Sequence, residues 1–547
     1  MRRLDRISTF GVSIRQDLLR TSKVAPSRRS YAHVDPGRTA QTPTKEQSTL
    51  RRRRLLALPF AAIAALALAP ALALAADTDP ATAGDLAPIV SSVDTVWVVI
   101  AAVLVLFMQA GFAMLEIGLS RMKNAGAVAA KIVFNLAIAL IMFWATGFAL
   151  GFGSGNDFAG SSGWFLDLGA TFTLVSSAPI QAQFLFQVVF VAVSLAIVWG
   201  TMLDRTKFAT YAIFGIIFAG VIYPIAAHWS FGGGWLAKDG FIDFAGSSVV
   251  HLQGALAALA GPLLLGPRIG KFGKDGKAIP IPGHSIPLAM LGVLILWVGW
   301  MGFNPGSFLG AFNGDAGIGF ADVAVNTNLA AAAGVIGATL SAMWLFKTLD
   351  VSQMGNGAIA GLVAITAPCA FVDPWAALVI GLFAGLIVPP LVLLVDRLRI
   401  DDPIGCLPVH GVAGIWGTLA AGIFAETDRT AALATFAGFP FKEGLIYGGG
   451  EQLWVQFYGV LATAAFTFTA SFLVFYLIKK TIGLRVSEAH ELAGLDISEH
   501  GMFGYPERFI DVPGAESEEH HIAGAAASGL VASSAGTATV SSKEITQ

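Results

Sequence analysis

Charged side chains are scarce in this sequence. Only 13% of its 547 residues are Asp, Glu, Lys or Arg, and 55% are hydrophobic. A soluble globular domain usually carries about 25% charged residues, so this composition excludes that class and indicates an integral membrane protein. The formal net charge of -2 gives no electrostatic argument for binding nucleic acid or another strongly charged partner.

Cysteine is almost absent as well. Cys369 and Cys406 are the only two, and the topology derived below places them near opposite faces of the membrane. The sequence therefore excludes a disulfide framework and a zinc site built from thiolates. Glycine, in contrast, occurs 62 times, often paired or spaced with alanine, which favours close packing of membrane helices.

The N-terminal part of the sequence differs from the rest. Residues 1–50 are polar and lack hydrophobic periodicity, which predicts a disordered extension. Residues 51–76 consist of four arginines, an apolar run and small residues before Asp77, and this layout predicts a cleaved signal peptide. An uncleaved membrane helix is the alternative, because the apolar run is long enough to span a bilayer.

The remaining sequence predicts an all-α polytopic membrane protein with a transmembrane domain over residues 90–482. Eleven apolar stretches approach the ~20 residues that a membrane helix needs. These predicted spans are residues 93–119, 125–152, 181–203, 208–228, 245–266, 285–307, 320–346, 354–372, 374–396, 405–425 and 452–480. Lys and Arg concentrate in the loops after the odd-numbered spans, so the mature N-terminus is expected outside and the C-terminus in the cytoplasm. We therefore expect a protein of the cytoplasmic (inner) membrane, with a cytoplasmic tail over residues 483–547 that is disordered after about residue 514.

Two stretches of the sequence resemble each other. Asp243 lies eight residues before His251 in the fifth predicted span, and Asp402 lies eight residues before His410 in the tenth. A run rich in Gly and Ala follows each histidine. The match predicts two inverted repeats of five helices plus one C-terminal helix, with a pseudo-two-fold axis in the membrane plane that brings the histidines together.

His251 and His410 are the candidate pore residues. Of the nine histidines these two are placed for the interior, whereas His228 borders the outer end of the fourth span and the others lie in loops or tails. Ionisable residues inside a bilayer are costly and usually functional. The alternative is that each one is a hydrogen-bonded packing residue.

A metal site is a further alternative, with Asp243 and Asp402 as additional ligands. Eight helical residues cover about 12 Å, so neither aspartate can share an ion with its own histidine if the segment is helical. The spans also contain no HExxH pattern. We expect no metal and no cofactor, and we expect the two aspartates to cap helices.

Aromatic residues form a second group of candidates. Phe186 and Phe190 are one helical turn apart, and Trp300 and Phe303 lie in a glycine-rich stretch. Aromatic faces bind desolvated cations by about 2 kcal/mol or more, so beside interior histidines they predict a vestibule that attracts cations. In a sequence with 39 phenylalanines, ordinary core or lipid-facing positions are the alternative.

At these residues the sequence resembles the Amt/Mep/Rh ammonium transporter family, and within it the bacterial Amt type. The resemblance covers roughly residues 90 to 505. The motifs that carry it include Met108-Gln109-Ala110-Gly111-Phe112-Ala113-Met114, Arg121-Met122-Lys123-Asn124, Asp243-Phe244-Ala245-Gly246, Gly302-Phe303-Asn304-Pro305-Gly306-Ser307, Asp401-Asp402-Pro403 and Val409-His410-Gly411.

The resemblance implies a role for each candidate. The roles are an outer recruitment site (Phe186, Trp300, Ser307), a stacked gate (Phe190, Phe303), a central pair (His251, His410) and a supporting buried carboxylate (Asp243). Two positions depart from the family pattern. Phe231 stands where many relatives have tryptophan, which alters the recruitment site, and Gly405 stands where many have aspartate. The family also implies a homotrimer and, in many bacteria, a PII-type signalling protein at the cytoplasmic face.

The implied function is transport of ammonium or ammonia, and of the analogue methylammonium, rather than catalysis. A bare cation in an apolar pore costs tens of kcal/mol in the Born limit, so ammonium must lose its proton before the narrow section. Potassium and sodium cannot do this and are refused. Electrogenic ammonium transport and an ammonia channel both remain open. The competing functions are an ammonium sensor, a Rhesus-like gas channel and an intramembrane metalloenzyme.

Overall fold

The computed structural model describes residues 83–174, 176–311 and 318–506. The predicted extension (1–50), the predicted signal peptide (51–76) and the tail after about residue 514 lie outside these residues. The described chain is helical, and its β-structure is limited to isolated bridges such as that between Phe272 and Ala278. The expected all-α class is therefore confirmed.

Eleven helices of the described chain correspond to the predicted spans and are numbered α1 to α11. Their bounds are Ala83–Leu119 (α1), Met122–Phe152 (α2), Ile180–Met202 (α3), Phe208–Lys238 (α4), Ser247–Leu265 (α5), Ile286–Gly306 (α6), Phe320–Phe346 (α7), Val351–Thr366 (α8), Pro374–Arg397 (α9), Leu407–Phe424 (α10) and Glu451–Thr481 (α11). Helix α4 is interrupted by a turn over residues 231–234. Three shorter helices are Thr427–Ala437, Glu488–Ala493 and Leu495–His500.

Ten of these helices in the described residues are long and apolar enough to cross a membrane. The exception is α8, which has 16 residues. Ten of the predicted spans are thus confirmed by length and composition, and the eighth stays a prediction. A helix of 16 residues rises only about 24 Å, short of a hydrocarbon core of about 30 Å.

The eighth predicted span continues to residue 372, but α8 ends at Thr366. Residues 367–372 are buried without being helical. The side-chain amide of Asn326 donates to the carbonyl oxygens of Cys369 and Val372 at 2.9 and 2.8 Å. Non-helical backbone at membrane depth requires such protein partners, so this segment is built to be enclosed by protein.

Small residues let the helices approach closely, as the glycine content predicts. A Cβ atom added at Gly292 of α6 would lie 2.4 Å from the backbone nitrogen of Leu115 in α1. One added at Gly385 of α9 would lie 2.1 Å from the carbonyl oxygen of Gly334 in α7. Any side chain at these positions would force the helices apart.

A buried ionic network joins the connections that follow α1, α3, α5 and α9. The guanidinium of Arg268 donates to both carboxylate oxygens of Asp401 at 2.9 and 3.0 Å, and Arg205 lies 3.5 Å from Asp401. Asp204 accepts from Arg121 at 2.8 Å and from Arg268 at 3.3 Å. Burial alone would raise the pKa of Asp401, but the two guanidinium groups that face it outweigh burial and hold this pKa below its ordinary value.

The chain after α11 packs against the same network. Glu491 accepts hydrogen bonds from the Arg485 guanidinium and from the backbone N–H of Ile269, each at 2.7 Å. Asp496 accepts from the backbone N–H of Ala127 at 2.7 Å, near the start of α2. The described part of the tail is therefore held by the connections that carry the predicted cytoplasmic charges.

An ion pair is also buried between α1 and α2. Lys131 of α2 pairs with Glu116 of α1, and both side chains are buried. The Lys131 ammonium lies 5.7 Å from the ring centre of Tyr211. Both charged residues fall inside predicted spans, so the sequence alone identifies them as ionisable residues within the membrane.

Candidate functional site

The two candidate histidines sit in equivalent local structures. Helices α5 and α10 each open with a π-helical turn, Ser247–Leu252 and Leu407–Val412, and these turns carry His251 and His410. A glycine in the left-handed region precedes each turn, Gly246 at φ 110° and Gly405 at φ 77°. The two glycines stand five residues before the two histidines. The local backbone therefore repeats, in agreement with the predicted internal repeat.

The two aspartates cap these turns, as the sequence predicts. Asp243 Oδ2 accepts from the backbone N–H groups of Ser248 and Val249 at 3.1 and 2.8 Å. Asp402 accepts from those of Cys406 and Leu407 at 2.9 and 2.8 Å. A carboxylate that binds the free N–H groups of a helix start also favours the positive end of the helix dipole. Each aspartate thus fixes where its histidine stands.

His251 and His410 face each other in the interior. Their Nδ1 atoms are 3.3 Å apart, and their rings are 14° from parallel. Only 0% and 3% of the two residues is exposed. At this distance one Nδ1 must donate a proton and the other must accept it. When both rings are neutral, one Nε2 therefore carries a proton and the other carries a lone pair.

A stack of phenylalanines closes one side of this pair. The rings of Phe190 in α3 and Phe303 in α6 are stacked with centroids 4.1 Å apart. Phe186 lies one turn before Phe190, and their ring centroids are 4.7 Å apart. The ring of His251 follows Phe303 at 5.6 Å. All four residues are buried, so the predicted gate stands directly before the histidines.

Trp300 does not lie where an outer recruitment residue would. It is fully buried, and its ring stacks on His251 with centroids 5.3 Å apart. Its indole N–H donates to the Thr366 hydroxyl at 3.0 Å. The reason is its place on α6, one turn before the gate residue Phe303 on the histidine side. Trp300 is therefore a wall of the central section, which corrects the expected outer position.

Phe112 of α1 was not among the predicted site residues. Its ring lies 6.4 Å from that of His410, as Trp300 lies against His251. The sequence holds a signal for this, because Gly111-Phe112 in α1 and Gly299-Trp300 in α6 are the same glycine–aromatic step in corresponding helices of the two repeats. Each histidine thus has one aromatic wall from the first helix of a repeat.

The other three outer candidates are Ser307 directly after α6, Phe186 beside the end of α6, and Phe231 in the interruption of α4. The Ser307 hydroxyl donates to the carbonyl oxygen of Phe303 at 2.8 Å and is partly exposed. Phe186 packs so closely on Gly306 that an added Cβ there would lie 2.6 Å from the ring. Phe231 is half-buried in the turn that interrupts α4, and it packs on the main core. Phe186 therefore packs against the end of α6, at the residue that precedes Ser307.

Gly405, the second departure from the family pattern, has a conformational reason. Its φ of 77° is in the left-handed region, which glycine adopts without cost. A Cβ at this position would also lie 2.8 Å from the side-chain nitrogen of Asn356. An aspartate here would need both a rare backbone conformation and movement of Asn356.

The geometry argues against a metal centre at the histidines. The carboxylate oxygens of Asp243 and Asp402 nearest the helix starts accept backbone hydrogen bonds. Across residues 83–174, 176–311 and 318–506, no group of three or more His, Cys, Asp or Glu side chains is arranged to hold an ion. Two imidazoles between aromatic walls suit a small neutral molecule that both donates and accepts hydrogen bonds.

Comparison with known proteins agrees with this chemistry. The model of the Ammonium Transporter Family matches residues 96–505. The ammonium transporter Amt2 of Archaeoglobus fulgidus is 44% identical over 426 residues, which cover 76% of this chain and 88% of that protein. Among solved structures, a protein described as "Sensor Amt Protein" is similar with a TM-score of 0.68 and 33% identity, covering 76% of this chain and 99% of that one. Saccharomyces cerevisiae Mep2 has a TM-score of 0.68 and 30% identity, covering 77% of this chain and 94% of that one. The chain therefore belongs to the ammonium transporter family, and it is a multi-pass membrane transporter of ammonium rather than an enzyme.

Proposed function

We propose that this transporter selects ammonium by making it release a proton at the Phe190–Phe303 stack, and that ammonia then passes the His251–His410 pair. The observation that carries the proposal is the sequence of contacts at the site. A closed aromatic stack, with centroids 4.1 Å apart, stands directly before two buried imidazoles that share a hydrogen bond.

The energetics favour deprotonation over passage of the ion. An unpaired cation in a dry apolar passage costs tens of kcal/mol in the Born limit. Aromatic faces such as those of Phe186 and Phe190 return only about 2 kcal/mol each. The stack can therefore hold ammonium at the entrance but cannot carry it through. Ammonia is neutral, so it escapes most of this cost.

The histidine pair matches ammonia in hydrogen bonding. With one proton shared between the Nδ1 atoms, the pair offers one N–H donor and one lone pair from its Nε2 atoms. Ammonia is both a donor and an acceptor. Imidazole also titrates near neutrality, so His251 and His410 can relay the released proton. If the proton follows the ammonia, transport is electrogenic.

The proposal extends to the surroundings of the pore. We propose eleven spans, arranged as an inverted repeat of five plus five helices and one further helix, and the repeated turns of α5 and α10 support this arrangement. The placement of Lys and Arg supports a mature N-terminus outside. We propose that the protein lies in the cytoplasmic membrane and serves nitrogen uptake. A homotrimer and a PII-type partner at the inner face are carried over from the family. The packed tail at residues 483–506 offers a surface for such a partner.

A sensor is the second candidate, and a Rhesus-like gas channel is the third. The likeness to a solved structure described as a sensor Amt protein favours the sensor. A His251→Ala strain that loses ammonium uptake but keeps its ammonium response would support it. A gas channel would carry ammonia without current.

Recording from the reconstituted full-length protein on a solid-supported membrane tests the proposal. An ammonium step should give a transient current that His251→Ala abolishes, because the proton relay is lost. Ammonia flux without any current in the wild type would indicate an ammonia channel instead of electrogenic transport. A current unchanged in His251→Ala would contradict the role of the pair.

A further inference from the structure

A buried carboxylate joins three segments on the side of the bundle where α1 begins. Asp94 of α1 is only 4% exposed. Its Oδ1 accepts a hydrogen bond at 2.7 Å from the backbone N–H of Ala311, in the chain after α6. Its Oδ2 accepts a hydrogen bond from the hydroxyl of Ser177, in the chain before α3. The carboxylate therefore connects α1 with the end of α6 and with the start of α3.

The turn after α6, residues 307–311, has an unusual backbone. Leu309 has a φ of 55°, in the left-handed region that a residue with a Cβ rarely adopts. Its carbonyl oxygen accepts a hydrogen bond from the Ser176 hydroxyl, and its N–H donates to the carbonyl oxygen of Gly306 at 2.8 Å. Strained backbone persists only where the surrounding structure fixes it. Asp94 and Ser176 supply such restraints from α1 and from the chain before α3.

The two segments that Asp94 connects carry two of the candidate recruitment residues. Ser307 is the first residue of the turn after α6, and Phe186 lies in α3, nine residues after Ser177. The ring of Phe186 packs against Gly306, where an added Cβ would lie 2.6 Å from it. The bonds to Asp94 therefore restrain the chain on both sides of the contact between α3 and the end of α6.

The space around the carboxylate is filled by backbone. A Cβ added at Gly310 would lie 2.9 Å from Oδ1 of Asp94 and 3.1 Å from its Oδ2. Gly310 is not in the left-handed region, so a glycine is needed here for space and not for conformation. A side chain at this position would push the carboxylate away from its partners.

We propose that Asp94 is a positioning residue for ammonium recruitment, and that its carboxylate sets the spacing between Phe186 in α3 and Ser307 at the end of α6. This inference rests on the proposed function, in which ammonium is held at the entrance of the aromatic stack before it releases its proton. Asp94 is buried and acts through the hydrogen bonds that it accepts. A carboxylate exposed at the entrance would attract any cation, whereas this one supports the site without binding potassium.

The test is the apparent KM and the maximal rate of labelled methylammonium uptake into vesicles that contain the full-length protein. Asp94→Ala should raise the KM about tenfold, the equivalent of one hydrogen bond to a charged group. The maximal rate should change little, because the stack and the histidine pair are intact. Asp94→Asn offers an oxygen to Ala311 and an amide N–H to Ser177, so it should keep the wild-type KM. Gly310→Ala should raise the KM although Asp94 is present.

Gly450→Ala is the matched control for Gly310→Ala. Gly450 lies before α11 with a φ of -84°, and an added Cβ there would have no neighbour within 4 Å. This variant should keep the wild-type KM. Asp94→Asn separates hydrogen bonding from charge, since a carboxylate that worked by attracting ammonium would give Asn the same high KM as Ala. That result overturns the proposal.

A folded Asp94→Ala protein with the wild-type KM also overturns the proposal, and so does a loss of maximal rate alone. If Asp94→Ala does not fold, Ser177→Ala decides. It removes one of the two bonds and should raise the KM about threefold, the equivalent of one neutral hydrogen bond. A wild-type KM in this variant would then overturn the proposal. Vesicles that take up potassium as readily as methylammonium would instead contradict the proposed function, and this inference with it.

Discussion

The Nδ1 atoms of His251 and His410 are 3.3 Å apart, so the two rings share one proton at their contact and act as a unit. This relationship follows from two helices that begin alike. Each has a left-handed glycine, a capping aspartate and a π-helical turn. Replacing either histidine should therefore reduce transport strongly, and replacing the second one as well should reduce it little further.

Replacement of the pair should be strongly non-additive. We expect His251→Ala to lower methylammonium uptake at least about tenfold, and the double variant with His410→Ala to lower it little further, because the first change already removes the shared hydrogen bond. Uptake by the three variants in vesicles completes the cycle. Effects that multiply would show that the rings work independently.

The aromatic gate should exclude hydrated ions. Phe190→Ala removes one ring of the stack with Phe303 and should admit water and a measurable potassium leak. Phe214→Ala is the control, because Phe214 is equally buried and stacks on Phe475 with centroids 3.9 Å apart, away from the histidines. Both variants should lose about 3 to 5 kcal/mol of stability, but only Phe190→Ala should leak. A potassium-tight Phe190→Ala protein would argue against the gate.

The Asp243 cap should matter through its acceptor oxygen. Asp243→Ala leaves the N–H groups of Ser248 and Val249 without their partner and should cost about 0.5 to 2 kcal/mol, with a loss of uptake as His251 shifts. Asp243→Asn keeps an oxygen at the same place and should be much less affected. Thermal unfolding in detergent and methylammonium uptake measure the two effects. An Ala variant that matches the Asn variant in both would remove the capping role.

The buried ionic network should make the stability of the protein depend on pH in the acid range. Asp401 has a pKa held below its ordinary value by Arg205 and Arg268 against the effect of burial, so its stabilising effect is present above the unfolded-state pKa of about 3.9 and is lost as the pH falls through the folded value. Removing the charge leaves the buried Arg205 guanidinium without its carboxylate partner and Arg268 with Asp204 alone, and breaking a buried ion pair typically costs about 3 to 5 kcal/mol. Asp401→Asn should therefore lower the Tm at pH 7 and flatten its fall in acid. A Tm difference that stays constant between pH 7 and pH 3 would contradict this.

Much of the fold could be predicted because membrane helices are specified by length and apolarity. The end of α8 is where the structure departs from the predicted span. Its span is apolar to residue 372, yet the helix ends at Thr366, because Asn326 satisfies the non-helical backbone beyond it. That partner comes from α7, and a hydropathy pattern does not contain such long-range contacts.

Site residues could be predicted where the same sequence element occurs in both halves of the chain. They could not be predicted where the position of a residue along the pore depends on helix packing. The two Asp–His elements predicted that the histidines would meet and that the aspartates would cap their helices, and the structure has both contacts. Trp300 was expected at the outer entrance but lies against His251, since the one-turn offset from Phe303 decides its depth. His228 was set aside as a residue at the end of a span. Its two carbonyl partners lie about 75 residues earlier in the chain, at Gly151 in the last turn of α2 and at Asn156 just after this helix.

The central claim is that the transporter admits only a cation able to release its proton at the gate. The most direct test compares uptake of potassium and of methylammonium into the same vesicles at equal driving force. The account predicts methylammonium uptake with potassium at the level of protein-free vesicles. Potassium uptake as fast as that of methylammonium would contradict it.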